Sequence, residues 1–91
     1  MTDPASRFRL GNVVATPNAM KGLTPPDVLA APHRHQAGDW GDVCAADHEA
    51  NEQAIQSDAR LLSVYHARSG TKFWIITEAD RSTATILLPQ D

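Results

Sequence analysis

The last third of the chain constrains the fold most, because it holds three β-prone segments separated by two short turns. The segments are 60–67, 72–78 and 83–88. The middle one contains Phe73-Trp74-Ile75-Ile76, the most β-prone run in the sequence. Strands joined by connections this short are antiparallel neighbours in a sheet. The pattern therefore predicts a three-stranded meander that stops at Pro89.

The N-terminal region predicts one strand followed by a short helix. Apolar residues in segment 7–15 indicate the strand, and Gly11 within it indicates a bend. Thr16-Pro17 combines an N-cap hydroxyl with proline at the first helical position, and Gly22 supplies a stop. We therefore expect a helical turn between Pro17 and Gly22.

Two further helices are predicted between this region and the meander. Thr24-Pro25 repeats the start signal for a helix over 25–36, with Val28 and Leu29 as its inward anchors. Pro32 has no amide hydrogen to donate, so this helix is expected to kink or break there before Gly38. Apolar spacing predicts the third helix over 45–57. Its inward half is expected to include three small side chains, Cys44, Ala50 and Ala54.

These elements define the expected fold class and domain organisation. A chain of 91 residues has room for one core. We predict a two-layer α+β domain over residues 7–91, with residues 1–6 as a disordered tail. An antiparallel sheet, made of the N-terminal strand and the C-terminal meander, carries two or three short helices on one face.

Composition narrows the function classes. The formal net charge is −3, and no two of the eight basic residues are adjacent. This pattern argues against direct nucleic-acid binding and against a polybasic membrane anchor. No apolar run approaches the roughly 20 residues that span a bilayer, and the start lacks the apolar stretch of a signal peptide. The single cysteine, Cys44, is typical of a reducing compartment, so a cytoplasmic location is expected.

Four stretches of the sequence together form a recognisable pattern. They are Gly11-Asn12-Val13-Val14-Ala15-Thr16-Pro17, His35-Gln36-Ala37-Gly38-Asp39-Trp40-Gly41, Trp74-Ile75-Ile76-Thr77-Glu78-Ala79-Asp80-Arg81-Ser82 and Thr85-Ile86-Leu87-Leu88-Pro89. With these stretches the chain resembles a family of small bacterial proteins carried on plasmids and other mobile elements, whose members are loosely labelled "plasmid-related protein" or "type I restriction endonuclease subunit M". The stretch Ala31-Pro32-His33-Arg34 departs from the family pattern. The resemblance implies a mobile-element context, where small non-enzymatic inhibitors of host defence complexes are common.

The family label itself does not fit the chemistry of a DNA methylase. Such an enzyme needs a large doubly wound sheet with a glycine-rich turn at a helix start. The five glycines of this chain are spread from Gly11 to Gly70. We therefore predict no enzymatic activity, no catalytic residue and no cofactor.

One polar cluster could suggest a metal site instead. Imidazole and carboxylate ligands suit zinc or manganese. The His48-Glu49 pair resembles part of a zinc-protease motif, but Glu52 stands where the second histidine is needed. Cys44 and His48 are spaced to meet on a helix, although a half-buried cysteine is the simpler interpretation. We predict no metal site and keep a small metal-dependent hydrolase as a minor alternative. The cluster comprises His33, His35, Asp39, Asp42, Asp47, His48 and Glu49.

An acidic segment is the strongest indication of a binding surface. Six carboxylates and no Lys or Arg lie between positions 39 and 58. Such a face would dock on a basic surface of a partner protein, for example the nucleic-acid channel of a CRISPR or restriction complex, and inhibit it. An accessory or regulatory subunit of a plasmid or restriction system is the alternative, as a monomer or a homodimer. The predicted partner-binding residues are Asp39, Asp42, Asp47, Glu49, Glu52 and Asp58.

Overall fold

The computed structural model describes residues 6–91 and confirms a two-layer α+β domain. Of the predicted disordered tail, residues 1–5 lie outside the described residues. One strand comes first, three helices follow it, and the three strands of the C-terminal meander come last. The elements are β1 (Asn12–Ala15), α1 (Pro17–Gly22), α2 (Pro25–Gln36), α3 (Ala45–Ser57), β2 (Leu61–His66), β3 (Lys72–Thr77) and β4 (Thr83–Leu87).

The four strands form one mixed sheet in the order β1-β4-β3-β2. The predicted meander is confirmed, with β2–β3 and β3–β4 antiparallel. The prediction of an all-antiparallel sheet is wrong, because β1 pairs parallel to β4. Three helices and two strands separate β1 from β4, and a connection that long permits the parallel pairing.

The first strand is shorter than predicted. Residues 7–10 lie outside β1, and the Arg7 amide donates to the Gln36 carbonyl at the end of α2. The Gln36 side chain in turn donates to the Phe8 carbonyl. The segment is therefore held against a helix rather than against the sheet.

All three helices pack on the same face of the sheet. Side chains alternate along a strand, so residues two apart share a face. The helix-facing positions of β2, β3 and β4 are all buried. Ala19 and Leu23 at α1 and Ala31 of α2 join them in the main apolar cluster. The buried strand positions on this face are Leu61, Ser63, Tyr65, Phe73, Ile75, Thr77, Ala84 and Ile86.

The prediction at Pro32 was a kink or a break, and the break is wrong because the second helix continues through Pro32. The missing proline amide removes only one bond of the helical ladder, and the last turn beyond it is anchored by the buried side chain of His35. Gly38 follows with φ +85°, consistent with the predicted stop. Val28 packs against the main cluster, whereas Leu29 is 70% exposed, contrary to its predicted inward role.

The third helix has a narrower inward side than predicted. Cys44 is the exposed N-cap residue of α3, and Ala50 is also exposed. Asn51 and Ala54 are its buried residues. Fewer residues of α3 are therefore buried than the apolar spacing of the sequence predicted.

In the range 6–91, none of the helices combines the length and apolar character needed to cross a membrane.

Candidate functional site

His35, a member of the polar cluster considered above as a possible metal site, is enclosed in the core. It has no exposed surface, and its ring lies at right angles to those of Phe8 and Trp40. Its Nδ1 hydrogen-bonds the Ser63 hydroxyl, and its Nε2 lies 2.9 Å from Thr77 Oγ1. Both ring nitrogens are therefore satisfied by neutral hydroxyls of two neighbouring strands.

This environment keeps His35 neutral. Burial, together with the positive charge of Arg81, lowers the pKa of the imidazole from 6.5 to about 4. A charged imidazole would lose its hydration without gaining a carboxylate partner. The arrangement therefore acts as a polar tie between α2 and the sheet, with no room for a substrate.

The other histidines of that cluster do not converge on His35. His33 and His48 are exposed on different helices. Within residues 6–91, no group of three or more His, Cys, Asp or Glu side chains is placed to hold a metal ion. Cys44 is exposed, so its predicted half-buried position is wrong.

The six predicted partner-binding carboxylates lie on α3 and on the two loops that flank it. We call this set, Asp39, Asp42, Asp47, Glu49, Glu52 and Asp58, the acidic flank. The helix α3 packs along β2, so the flank lies on the β2 side of the molecule. The six carboxylates, which are close in the sequence, therefore lie on the same side of the folded domain.

Two members of the acidic flank are neutralised by arginines from elsewhere in the chain. Glu52 accepts two hydrogen bonds from the Arg7 guanidinium, at 2.9 and 2.8 Å, and a third from Trp40 Nε1. These bonds lower the pKa of Glu52 to about 2. Asp39 accepts a 2.7 Å bond from Arg34, which lowers its pKa as well. Glu52 thus links α3 to the N-terminal segment, and Asp39 links the loop after α2 to that helix.

The remaining carboxylates are available to solvent. Asp42 lies 3.1 Å from the His66 imidazole, and Glu49 accepts a bond from the neighbouring Gln53. Among the described residues, no lysine or arginine forms an ion pair with Asp42, Asp47, Glu49 or Asp58. The acidic flank thus keeps a net negative charge centred on α3.

The outer edge of β2 is completed by the same region, and we call it the closed edge. Asn51 of α3 donates to the Leu62 carbonyl at 2.7 Å and accepts from the Leu62 amide at 3.0 Å. The Val64 amide donates to the Trp40 carbonyl, and the Val64 carbonyl accepts from the Asp42 amide. A side chain and a loop therefore take the place of a fifth strand.

The face of the sheet opposite the helices is apolar at its centre, and no helix of the described chain packs on it. We call it the uncovered face. The strand registers align its side chains in rows across the sheet. Most of these side chains are partly exposed, and Val14 is 46% exposed. The two central rows contain Leu62, Ile76, Thr85 and Val14, then Val64, Trp74 and Leu87.

Polar and charged residues border the uncovered face at both ends of the strands. His66 and Lys72 are register partners at one end. At the other end, Arg60 forms an ion pair with Glu78. Because Asp42 contacts His66, the uncovered face adjoins the acidic flank. An apolar centre with a polar rim is the usual anatomy of a protein interface.

Sequence analysis did not single out the uncovered face, although β3 contains a signal for it. Phe73 and Ile75 alternate with Trp74 and Ile76, so both faces of this strand are apolar. A strand in a sheet with one solvated face normally alternates apolar and polar residues. Apolar residues on both faces indicate that each face has something to cover it.

Comparisons of the chain with protein-family models, with curated proteins and with solved structures found no match.

Proposed function

We propose that this chain is a non-enzymatic protein-binding module that contacts its partner through the uncovered face and the adjoining acidic flank. The observation that carries the proposal is the apolar centre around Trp74, which faces away from every helix of the described chain. Tryptophan is among the residues that contribute most to binding energy at interfaces.

The size of the uncovered face indicates that it supplies only part of the contact. Four strands about 4.8 Å apart, of four to six residues each at about 3.3 Å per residue, give a face of roughly 350 Å². One partner in a standard protein complex contributes about 800 Å². The contact therefore extends beyond the sheet, and the acidic flank is the neighbouring surface.

Charge defines the chemistry of the partner. The free carboxylates of the flank favour a surface that carries Lys and Arg beside an apolar patch, as the nucleic-acid-binding surfaces of many proteins do. Inhibition of a CRISPR or restriction complex by occlusion of its nucleic-acid channel agrees with this chemistry. That particular partner rests on the family resemblance alone.

To test the proposal, a partner is first captured from bacterial lysate and identified by mass spectrometry. The affinity between the two purified proteins is then measured. Trp74→Ala is expected to weaken affinity by about 30-fold, which is the effect of losing about 2 kcal/mol at a central aromatic residue. The control is Leu29→Ala, which removes an exposed apolar side chain from α2. Equal affinities for both variants would contradict the proposal.

The acidic flank is tested separately by charge reversal. A chain that carries Asp47→Lys, Glu49→Lys and Asp58→Lys together should associate more slowly with the partner. Its association rate should also depend less on salt concentration. Lys21→Glu and Lys72→Glu serve as the opposite control and should leave association unchanged or faster. If none of these substitutions changed the association rate, the acidic flank would not be part of the interface.

A further inference from the structure

The outer edge of β1, which we call the open edge, differs from the closed edge. β1 is the last strand in the sheet order, so its far side has no strand beside it in residues 6–91. The Asn12 amide donates to the Ser82 carbonyl, and the Thr16 amide donates to the Ile86 carbonyl. Backbone groups alternate in direction along a strand. The N–H and C=O groups of Val13 and Ala15 therefore point away from the sheet.

The side chains of the open edge are apolar on both faces. Val13 is 43% exposed on the helix side, and Val14 is 46% exposed on the uncovered face. Natural proteins protect edges with lysine, proline, a bulge or a covering segment. The strand sequence Asn-Val-Val-Ala contains no charge and no proline. The open edge thus presents both hydrogen-bonding groups and apolar side chains to a further strand.

We propose that β1 pairs with β1 of a second copy of this chain, antiparallel about a two-fold axis at Val14. In this register Val13 of each copy exchanges two backbone hydrogen bonds with Ala15 of the other, four bonds in all. Val14 faces its own counterpart as a non-hydrogen-bonded pair, where Cβ atoms lie about 4.5–5.5 Å apart. Every outward backbone group of Val13 and Ala15 gains a partner.

Charge selects this pairing over the alternatives. The acidic flank lies at the β2 side, so pairing through β2 would bring like-charged carboxylates together. Pairing through β1 forms an eight-stranded sheet and keeps the two flanks at its far ends, about 35–40 Å apart at 4.8 Å per strand. That separation exceeds the Debye length of about 8 Å at physiological salt, so repulsion between the flanks is screened.

The paired arrangement also makes the uncovered face continuous. The row that contains Ile76, Thr85 and Val14 in one copy meets the same row of the other copy at Val14. The joint face reaches roughly 700 Å² by the strand spacing used above. The pairing does not depend on the proposed partner-binding function, because backbone hydrogen bonds at β1 drive it.

Disulfide trapping tests the pairing and its register. Val14→Cys, in a chain that also carries Cys44→Ser, should form a disulfide dimer under mild oxidation, because the paired Cβ atoms are close enough for a bridge. The matched control is Asn12→Cys in the same background, two residues away on the same face. In the proposed register, position 12 of one copy lies opposite Thr16 of the other copy, so the two introduced cysteines would not face each other. Equal cross-linking of both variants would indicate random collision and overturn the proposal.

Solution measurements on the wild-type chain provide an independent test. Light scattering should give twice the chain mass of 9.9 kDa at high protein concentration. Hydrogen exchange at the Val13 and Ala15 amides should slow as concentration rises, whereas the already bonded Asn12 and Thr16 amides should not change. A monomer at every concentration, or concentration-independent exchange at Val13 and Ala15, would overturn the proposal.

A pair of variants separates edge pairing from other association. Ala15→Pro removes an outward amide without removing a bond to β4, and should give a folded monomer by circular dichroism and light scattering. Leu29→Lys alters an exposed apolar residue away from the sheet and should remain a dimer. Trp74→Glu should also remain a dimer, so failure of partner binding and failure of pairing can be distinguished. A dimer of folded Ala15→Pro would contradict the proposed strand pairing.

Discussion

The two edges of the sheet complete their backbone hydrogen bonds in different ways. At the closed edge, Asn51 and the Trp40–Asp42 loop bond to the outward backbone groups of Leu62 and Val64 in β2. At the open edge, the described chain places no strand beside β1. The comparison shows that an edge can be closed by a single amide side chain and a loop, provided that a glycine lets the loop approach. It also shows which edge is left for association.

The largest effect is expected at the glycine of the closed edge. Gly41 has φ +74°, and an added Cβ would overlap the Val64 carbonyl oxygen and the Tyr65 ring. Gly41→Ala should therefore lower the free energy of unfolding by roughly 3–5 kcal/mol, by analogy with other strained, overpacked sites. Urea denaturation measures the change.

Gly70 provides the matched control for this prediction. It also has a positive φ, +91°, but an added Cβ would contact nothing within 4 Å. Gly70→Ala should cost only the backbone strain of about 1–2 kcal/mol. Equal costs for the two variants would show that the loop does not press against β2.

The next largest effect is a loss of stability in acid, caused by His35. Its pKa is about 4 in the folded chain and 6.5 in an exposed reference state. Between these values the unfolded chain binds a proton that the folded chain excludes, so stability is complete above pH 6.5 and falls as pH approaches 4. The total loss is about 3 kcal/mol from these two pKa values.

Variants assign this pH dependence to the buried imidazole. His35→Gln keeps a hydrogen-bonding side chain without the titration, so the loss of unfolding free energy between pH 6.5 and 5 should disappear. The further loss below pH 5 should remain, because the depressed pKa of Glu52 contributes there. His48→Gln removes an exposed imidazole and should keep the wild-type slope. An unchanged slope in His35→Gln would mean that other groups dominate in this range.

A smaller effect is expected when the amide of the closed edge is removed. Asn51→Ala loses both bonds to Leu62 and leaves those backbone groups partly covered by α3. We expect a loss of about 2 kcal/mol in unfolding free energy, from two hydrogen bonds at about 1 kcal/mol each. Gln53→Ala, on the exposed side of the same helix, should change stability by less than about 0.5 kcal/mol. A cost for Asn51→Ala as small as that of Gln53→Ala would show that water replaces both bonds.

The smallest effect on stability is expected at the open edge. Val13 is nearly half exposed, so Val13→Lys should change the unfolding free energy of the monomer by less than about 0.5 kcal/mol in dilute solution. The same change should abolish self-association at high concentration, because a lysine protects an edge strand. A destabilised monomer would mean that β1 is held by its side chains and not by its bonds to β4.

Local signals in the sequence predicted most elements well. Threonine caps and prolines located the starts of α1 and α2, and alternation located the meander. The predicted break at Pro32 was wrong, and the turn beyond it carries His35, which is tied to the sheet by hydrogen bonds to Ser63 and Thr77. The sequence identified the six carboxylates of the acidic flank as one group. It did not indicate that two of them form ion pairs with Arg7 and Arg34.

The sequence by itself determined the α+β class, the order of the helices and strands, and the charge of the α3 region, because capping, turn chemistry and alternation act between residues close in the chain. Tertiary structure decided that β1 pairs parallel to β4, that one edge is closed and that His35 is neutral. Those features depend on contacts such as Asn51 with Leu62 and His35 with Thr77, which lie 11 and 42 positions apart. No local propensity encodes such pairs, so they form only when packing brings the elements together.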